Sequence, residues 1–137
     1  MGRLLKRISS CFSAGAVGAL AASLLLWSLG THGVTGSLGV SLAPRLSAQW
    51  LYPRIVWGGL WAQLLLLPLA RSSFWARGLL VSLFPTAFQL LYFYPMVLRR
   101  GYFGLESGEL TPLVVFVVNA VWGLVTVLWL RWADRGA

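Results

Sequence analysis

Acidic residues are almost missing from this sequence. Its 137 residues include three Asp or Glu against eleven Lys or Arg, together with one His and one Cys. The single Cys11 excludes an intrachain disulfide. Haem held between helices commonly needs two axial ligands such as histidines, so one His disfavours a haem site. With so few ligand-forming side chains, we expect no metal site, no cofactor and no catalytic residue, so the chain is predicted not to be an enzyme.

Charged residues of either sign are also scarce. They make up 10% of the chain, where a soluble domain averages roughly 25%. A helix of about 20 apolar residues crosses the ~30 Å hydrocarbon core of a bilayer. Three uncharged segments reach this length, between Arg7 and Arg45, Arg77 and Arg99, and Glu109 and Arg131, and a shorter one lies between Arg54 and Arg71. The sequence therefore predicts an integral membrane protein.

The fold class that we predict is all-α, a four-helix transmembrane bundle that forms one domain over residues 1–137. Pro53 is expected at the first position of the second helix, and Pro85 is expected to kink the third. We read the basic start of the chain as part of an uncleaved first helix. The predicted spans run from about Ile8 to Gly30, Pro53 to Ala70, Phe74 to Leu98, and Leu110 to Trp132.

The first predicted span has a face of small residues. Ala14, Gly18 and Ala22 recur at every fourth position, so they share one side of the helix. Small side chains let helix backbones approach closely, and helices in lipid pack in this way. We therefore expect this face to pack against a partner helix, either within the chain or in another subunit.

Uncharged polar residues form a second pattern, near the middle of the spans. Polar side chains are costly in lipid and usually face the interior of a bundle. Two interpretations stay open: hydrogen bonds that hold the helices together, or a neutral polar site for a small ligand, a lipid headgroup or an ion. The candidate cluster consists of Gln63, Gln89, Asn119, Thr86 and Ser82.

Basic residues predict the orientation in the membrane. With the N-terminus inside, the inner segments carry Arg3, Lys6, Arg7, Arg71, Arg77, Arg131 and Arg135, and the outer segments carry Arg45, Arg54, Arg99 and Arg100. The inner excess favours cytoplasmic termini, and dual topology is the alternative. We interpret the net charge of +8 as topology and contact with anionic headgroups, and expect no nucleic-acid partner.

Acidic residues are absent from every predicted span, which disfavours the proton-coupled mechanism of small four-helix multidrug exporters. Glu106 and Glu109 lie in the connection before the last span, where local ion pairing and the helix dipole explain them. A further alternative is an enzyme that acts on lipid at the interface through these two carboxylates.

Three stretches carry a resemblance. They are WLYPRIVWGGLW from Trp50, RGLLVSLFP from Arg77, and GELTPL from Gly108 with NAVWGL from Asn119. Together they resemble a group of small four-helix proteins of the bacterial inner membrane. The resemblance implies the architecture and the location, and it attaches no activity to the chain.

Two functions are therefore expected from the sequence. The first is a non-catalytic accessory or structural subunit whose partners are the bilayer and other membrane subunits or further copies of itself. The alternative is a small transporter or channel for a neutral or lipid-like solute, which would use Gln63, Gln89 and Asn119.

Overall fold

The computed structural model of the protein describes residues 2–40, 44–67, 73–99 and 101–136, and these form helices and turns without a strand. The α-helices are α1 (Gly2–Thr31), α2 (Val34–Ser37), α3 (Ala48–Trp61), α4 (Phe74–Phe88) and α5 (Thr111–Gly136). A 3-10 helix, Ala62–Leu66, continues α3, and a π-helix, Gln89–Val97, continues α4. Another 3-10 helix, Tyr102–Ser107, precedes α5.

Within the described ranges, three helices are long and apolar enough to cross a membrane: Gly2–Thr31, Trp75–Val97 and Thr111–Ala133. The all-helical fold class is thus confirmed. The predicted second span, 53–70, is not one of these three helices. Its first part forms α3 and the 3-10 helix, and Pro68 to Ala70 lie outside the described residues, as do Arg71 and Arg100 of the charge count.

The start of α3 differs from the prediction. The helix begins at Ala48, because the Ser47 hydroxyl accepts a hydrogen bond from the backbone N–H of Trp50 at 3.3 Å. This is the bond of a helix N-cap. Pro53 therefore lies inside the helix, and its predicted place at the first helical position is wrong. The cap adds more than one turn to the helix, and that turn carries Trp50.

Glycines set the packing of the long helices. Helix α1 packs between α3 and α5, and α5 also packs against α4. A Cβ atom on Gly18 would lie 2.7 Å from the Trp122 carbonyl oxygen, and one on Gly78 would lie 2.9 Å from that of Gly123. Such distances are too short for a real side chain, so the backbones meet directly, as in small-residue packing between membrane helices.

The end of α4 changes its helical geometry. The α-helix continues through Pro85 and becomes a π-helix at Gln89, four residues later. Proline cannot donate the usual backbone hydrogen bond. Turns of π-helix are rare in proteins as a whole, and those that occur are often found at functional sites. The backbone thus leaves α geometry after the proline, in the segment that carries Gln89, Phe93 and Tyr94.

Candidate functional site: a groove between α3 and α4

A groove separates α3 from α4 and its π-helical continuation. Because α3 packs on α1 while α4 packs on α5, the two outer helices leave a space of about 770 Å³ between them. Ala22 of α1 and Trp122 of α5 line its base. Trp57 and Tyr92, on opposite sides, are more than half exposed at 56% and 51%. The groove therefore opens to the side of the bundle.

Arg54 brings a positive charge into this groove. Its Nε donates a hydrogen bond of 2.8 Å to the hydroxyl of Ser23, which is fully buried. Its guanidinium carbon lies 4.9 Å from the centre of the Trp50 ring, a distance typical of a cation–π contact. A guanidinium group has five N–H donors, and only the Nε donor has a hydrogen-bond partner within the described part of the chain.

No carboxylate lines the groove among the residues that the structure describes. Glu106 and Glu109 are exposed in the connection before α5, and neither borders this space. A half-buried guanidinium in apolar surroundings has lost part of its hydration, and this loss is costly unless an opposite charge or hydrogen-bond acceptors replace it. Among the described residues, Arg54 has a hydrogen bond to one hydroxyl and a contact with one aromatic ring, and Tyr94 lies near it in an adjoining cavity.

Two carboxamides meet at the same depth. The Asn119 Nδ2 donates a hydrogen bond of 2.8 Å to the Gln89 Oε1, and both residues line the groove. Asn119 is 8% exposed. A carboxamide has two donors and an acceptor oxygen, so the Gln89 amino group and the Asn119 oxygen keep hydrogen-bonding capacity that this pair does not use.

Ser23, Arg54, Gln89 and Asn119 together form the polar layer of the groove. A small cavity of about 50 Å³ adjoins this polar layer. Arg54, Gln89 and Tyr94 supply its polar lining, and valines of α5 supply much of the rest. The Tyr94 ring packs against Gly104, in the connection before α5. The contact is close, because a Cβ on Gly104 would lie 2.8 Å from the Tyr94 ring. Gly104 has a φ of +67°, which glycine adopts without strain. The cavity is large enough for more than one water-sized polar group.

The other predicted members of the polar cluster lie elsewhere. The Gln63 Nε2 donates to the carbonyl oxygens of Ile8 and Gly59, each at 3.2 Å, and Gln63 does not line the groove. Ser82 and Thr86 donate to carbonyl oxygens of their own helix. The structure thus brings together two of the three carboxamides and leaves Gln63 close to the N-terminal part of α1.

The small-residue face of α1 is buried within the chain. Ala14, Gly18 and Ala22 are all buried, and Gly18 lies against Trp122 and Thr126 of α5. The indole N–H of Trp122 donates to the Gly15 carbonyl oxygen at 3.1 Å. This bond fixes the ring that closes the base of the groove, so the packing face also shapes the candidate site.

The sequence pattern does not identify Arg54 and Tyr94 as site residues. It places Arg54 at the end of a helix, because it predicts Pro53 as the first helical residue. The available signal was Ser47, since a serine N-cap there places Arg54 almost two turns into α3. Tyr94 carries no local signal, because only the π-helical turn aligns it with Gln89 and Phe93.

The groove supplies groups that can bind a ligand. Across the described ranges, no group of three or more His, Cys, Asp or Glu residues could hold a metal ion. The groove instead offers one cation, a carboxamide pair and an aromatic surface that includes Trp57, Trp61 and Phe88. Comparisons of the chain with protein-family models, with curated proteins and with solved structures found no match.

Proposed function

We propose that this chain is a multi-pass protein of the bacterial inner membrane that binds a lipid-like amphiphile in the groove between α3 and α4 without catalysing a reaction. In this proposal the four helical segments form one membrane bundle, and both termini are cytoplasmic. The observation that carries the proposal is the division of the groove into a polar layer around Arg54 and an apolar, aromatic part beyond it.

The depth of the polar layer supports this assignment. Ser23 lies eight residues before the end of α1 at Thr31, and Asn119 lies eight residues after the start of α5 at Thr111. At about 1.5 Å per residue, both are ~12 Å from the same end of the bundle. We place these helix ends at the outer edge of the headgroup region, which is roughly 5–8 Å thick. The polar layer then lies ~4–7 Å inside the acyl-chain region on that side of the bilayer.

The apolar part of the groove has the composition expected for acyl chains. Trp61 and Phe88, with ring centres 5.6 Å apart, come from opposite sides and line the deeper end, beside Pro85. A volume of about 770 Å³ lies within the range of small-molecule sites, which are mostly apolar with a few placed polar groups. A side opening lets an amphiphile enter from the bilayer without passing through water.

The accessory-subunit role stays a prediction. Its main support was the small-residue face of α1, and Ala14, Gly18 and Ala22 of that face are buried inside this chain. The face therefore offers no surface to another subunit. Purification in a mild detergent, followed by mass spectrometry, tests this role, because an accessory subunit would bring a stoichiometric partner.

Photolabelling tests the groove assignment. Protein in nanodiscs would be exposed to photoreactive analogues of the bilayer phospholipids, and the labelled residues would be mapped by mass spectrometry. We expect the groove-facing side chains of α3 and of the π-helix to be labelled more strongly than Leu20 and Leu24, exposed residues of α1 outside the groove. Labelling that simply follows exposure over the whole bundle would contradict the proposal.

A pair of valines provides the matched control. Val97 lines the groove and is 53% exposed, whereas Val117 is 42% exposed and lies outside the groove. Val97→Trp should obstruct the groove and lower its labelling, while Val117→Trp should leave that labelling unchanged. An equal effect of the two substitutions would count against a defined site.

A further inference from the structure

We infer that the amphiphile is a phospholipid of net negative charge, whose phosphate pairs with Arg54. This inference rests on the proposed function, because it names the headgroup for the same groove. The observations that carry it are the unbalanced charge of Arg54, the donors that this residue leaves unused, and the polar cavity beside it.

The positive charge of Arg54 has no opposite charge in the described lining of the groove. Arg54 lies in a groove whose described lining contains no carboxylate, and the Ser23 hydroxyl that accepts from its Nε is neutral. The whole chain carries eleven basic residues against three acidic ones. A ligand with a negative headgroup would supply the missing charge, and it would do so where partial burial strengthens the attraction.

The N–H donors of Arg54 are held in a geometry that suits a phosphate group. The hydrogen bond to Ser23 and the contact with the Trp50 ring fix the plane of the guanidinium group. Its amino groups have no hydrogen-bond partner in the described part of the chain, and Arg54 lines both the groove and the small cavity. A planar fork of N–H donors matches the oxygens of a phosphate group, and such charge-assisted bonds are among the strongest in proteins.

The neutral groups of the layer favour an anionic headgroup over a zwitterionic one. An ammonium group would find no described carboxylate in the lining, and it would lie close to the positive charge of Arg54. In the carboxamide pair of Gln89 and Asn119, the Gln89 amino group remains free to donate hydrogen bonds, and the Asn119 oxygen remains free to accept them. These groups suit the hydroxyls of a polyol next to the phosphate, as in phosphatidylglycerol.

A comparison of two photoreactive lipids tests the inference. The full chain would be placed in phosphatidylcholine nanodiscs that contain a trace of photoreactive phosphatidylglycerol or, in parallel, of photoreactive phosphatidylcholine. At equal mole fraction we expect the groove to be labelled ~10-fold more by the anionic lipid, a difference of ~1.4 kcal/mol, because only the zwitterionic lipid brings an ammonium group close to Arg54. Excess inorganic phosphate in the buffer should not compete, since the site takes the headgroup of a bilayer lipid.

Substitutions separate Arg54 from general surface charge. Arg54→Gln should remove the preference for the anionic lipid, and Arg54→Lys should retain part of it. Arg45→Gln, which removes the same charge from an exposed residue outside the groove, should leave the preference intact. Circular dichroism checks that each variant keeps its helices, and the wild-type ratio decides the matter even where Arg54→Gln fails to fold.

The results distinguish the preference for an anionic headgroup from the binding of an amphiphile in the groove. A groove that both lipids label equally in the wild-type protein would overturn the anionic headgroup and leave the proposed function standing. Absence of groove labelling would overturn both. An equal loss of preference in Arg54→Gln and Arg45→Gln, or competition by inorganic phosphate, would overturn the pairing of Arg54 with a bilayer phospholipid.

Discussion

At Gly18 the backbones of α1 and α5 approach so closely that no side chain fits between them. The absence of a Cβ lets the Trp122 carbonyl and the Thr126 side chain lie directly against the helix. Close approach of this kind increases dispersion contacts, which replace the hydrophobic effect as the main attraction between helices in lipid. The fit at single residues therefore determines whether the base of the groove forms.

Substitution of Gly18 by alanine should destabilise the bundle. The new Cβ would lie 2.7 Å from the Trp122 carbonyl oxygen, so the helices must separate, at a cost of about 1–3 kcal/mol. Gly36→Ala is the control, since a Cβ there would meet no atom within 4 Å. Unfolding in mixed detergent micelles measures the difference. Equal stability of the two variants would contradict the packing described for α1 and α5.

The hydrogen bond between Asn119 and Gln89 should contribute a measurable coupling energy. A double-mutant cycle with Asn119→Leu and Gln89→Leu is expected to give about 0.6 kcal/mol, the average found between membrane helices, where the largest coupling is about 1.7 kcal/mol. Gln63→Leu combined with Asn119→Leu should be additive, because Gln63 bonds to Ile8 and Gly59 instead. A coupling of zero between Asn119 and Gln89 would show that the two carboxamides do not pair.

At the scale of elements, the position of Arg54 depends on where α3 begins. Hydropathy alone puts the start of the apolar segment near Pro53, and proline is common at a first helical position. The structure starts the helix at Ala48, where the Ser47 hydroxyl caps the backbone N–H of Trp50. The cap thus extends the helix by a turn that lies outside the apolar segment and carries the Trp50 ring onto Arg54.

Loss of this cap should loosen the first turn of α3. Ser47→Ala removes the acceptor for the Trp50 N–H, which typically costs about 0.5–2 kcal/mol. Hydrogen exchange should therefore accelerate at the amides of residues 48–51. Ser37→Ala is the matched control, because the Ser37 hydroxyl donates to the Val34 carbonyl and caps no helix start. Unchanged exchange in Ser47→Ala would show that the helix does not depend on its cap.

Over the whole molecule, hydropathy and length predicted the helical fold and four spans, and three of these correspond to long apolar helices in the described residues, because both signals extend over about 20 residues. The polar pattern placed Gln89 and Asn119 at a similar depth, and the structure joins them. It also suggested Gln63, which faces another part of the bundle. Depth can be read from sequence, whereas the direction of a side chain depends on helix rotation and on the π-helical turn, which a single sequence does not reveal.

The proposed orientation gives a prediction for the intact cell. In a Cys11→Ala background, Ser37→Cys lies at the exposed end of α2, which follows α1, and Gly2→Cys lies at the opposite end of α1. A membrane-impermeant maleimide should label Ser37→Cys in intact cells and label Gly2→Cys only after permeabilisation. Partial labelling of both positions in intact cells would indicate dual topology.

The central claim is that a membrane amphiphile occupies the groove, and the carboxamides provide the most direct test of it. Solid-state NMR in a phospholipid bilayer can detect magnetisation transfer from lipid protons to the side-chain amides of Gln89, Asn119 and Gln63. Gln89 and Asn119 line the groove, and Gln63 does not. We predict transfer from lipid headgroup and glycerol protons to Gln89 and Asn119 and none to Gln63. Transfer to these two amides from protein and water protons alone would contradict the account.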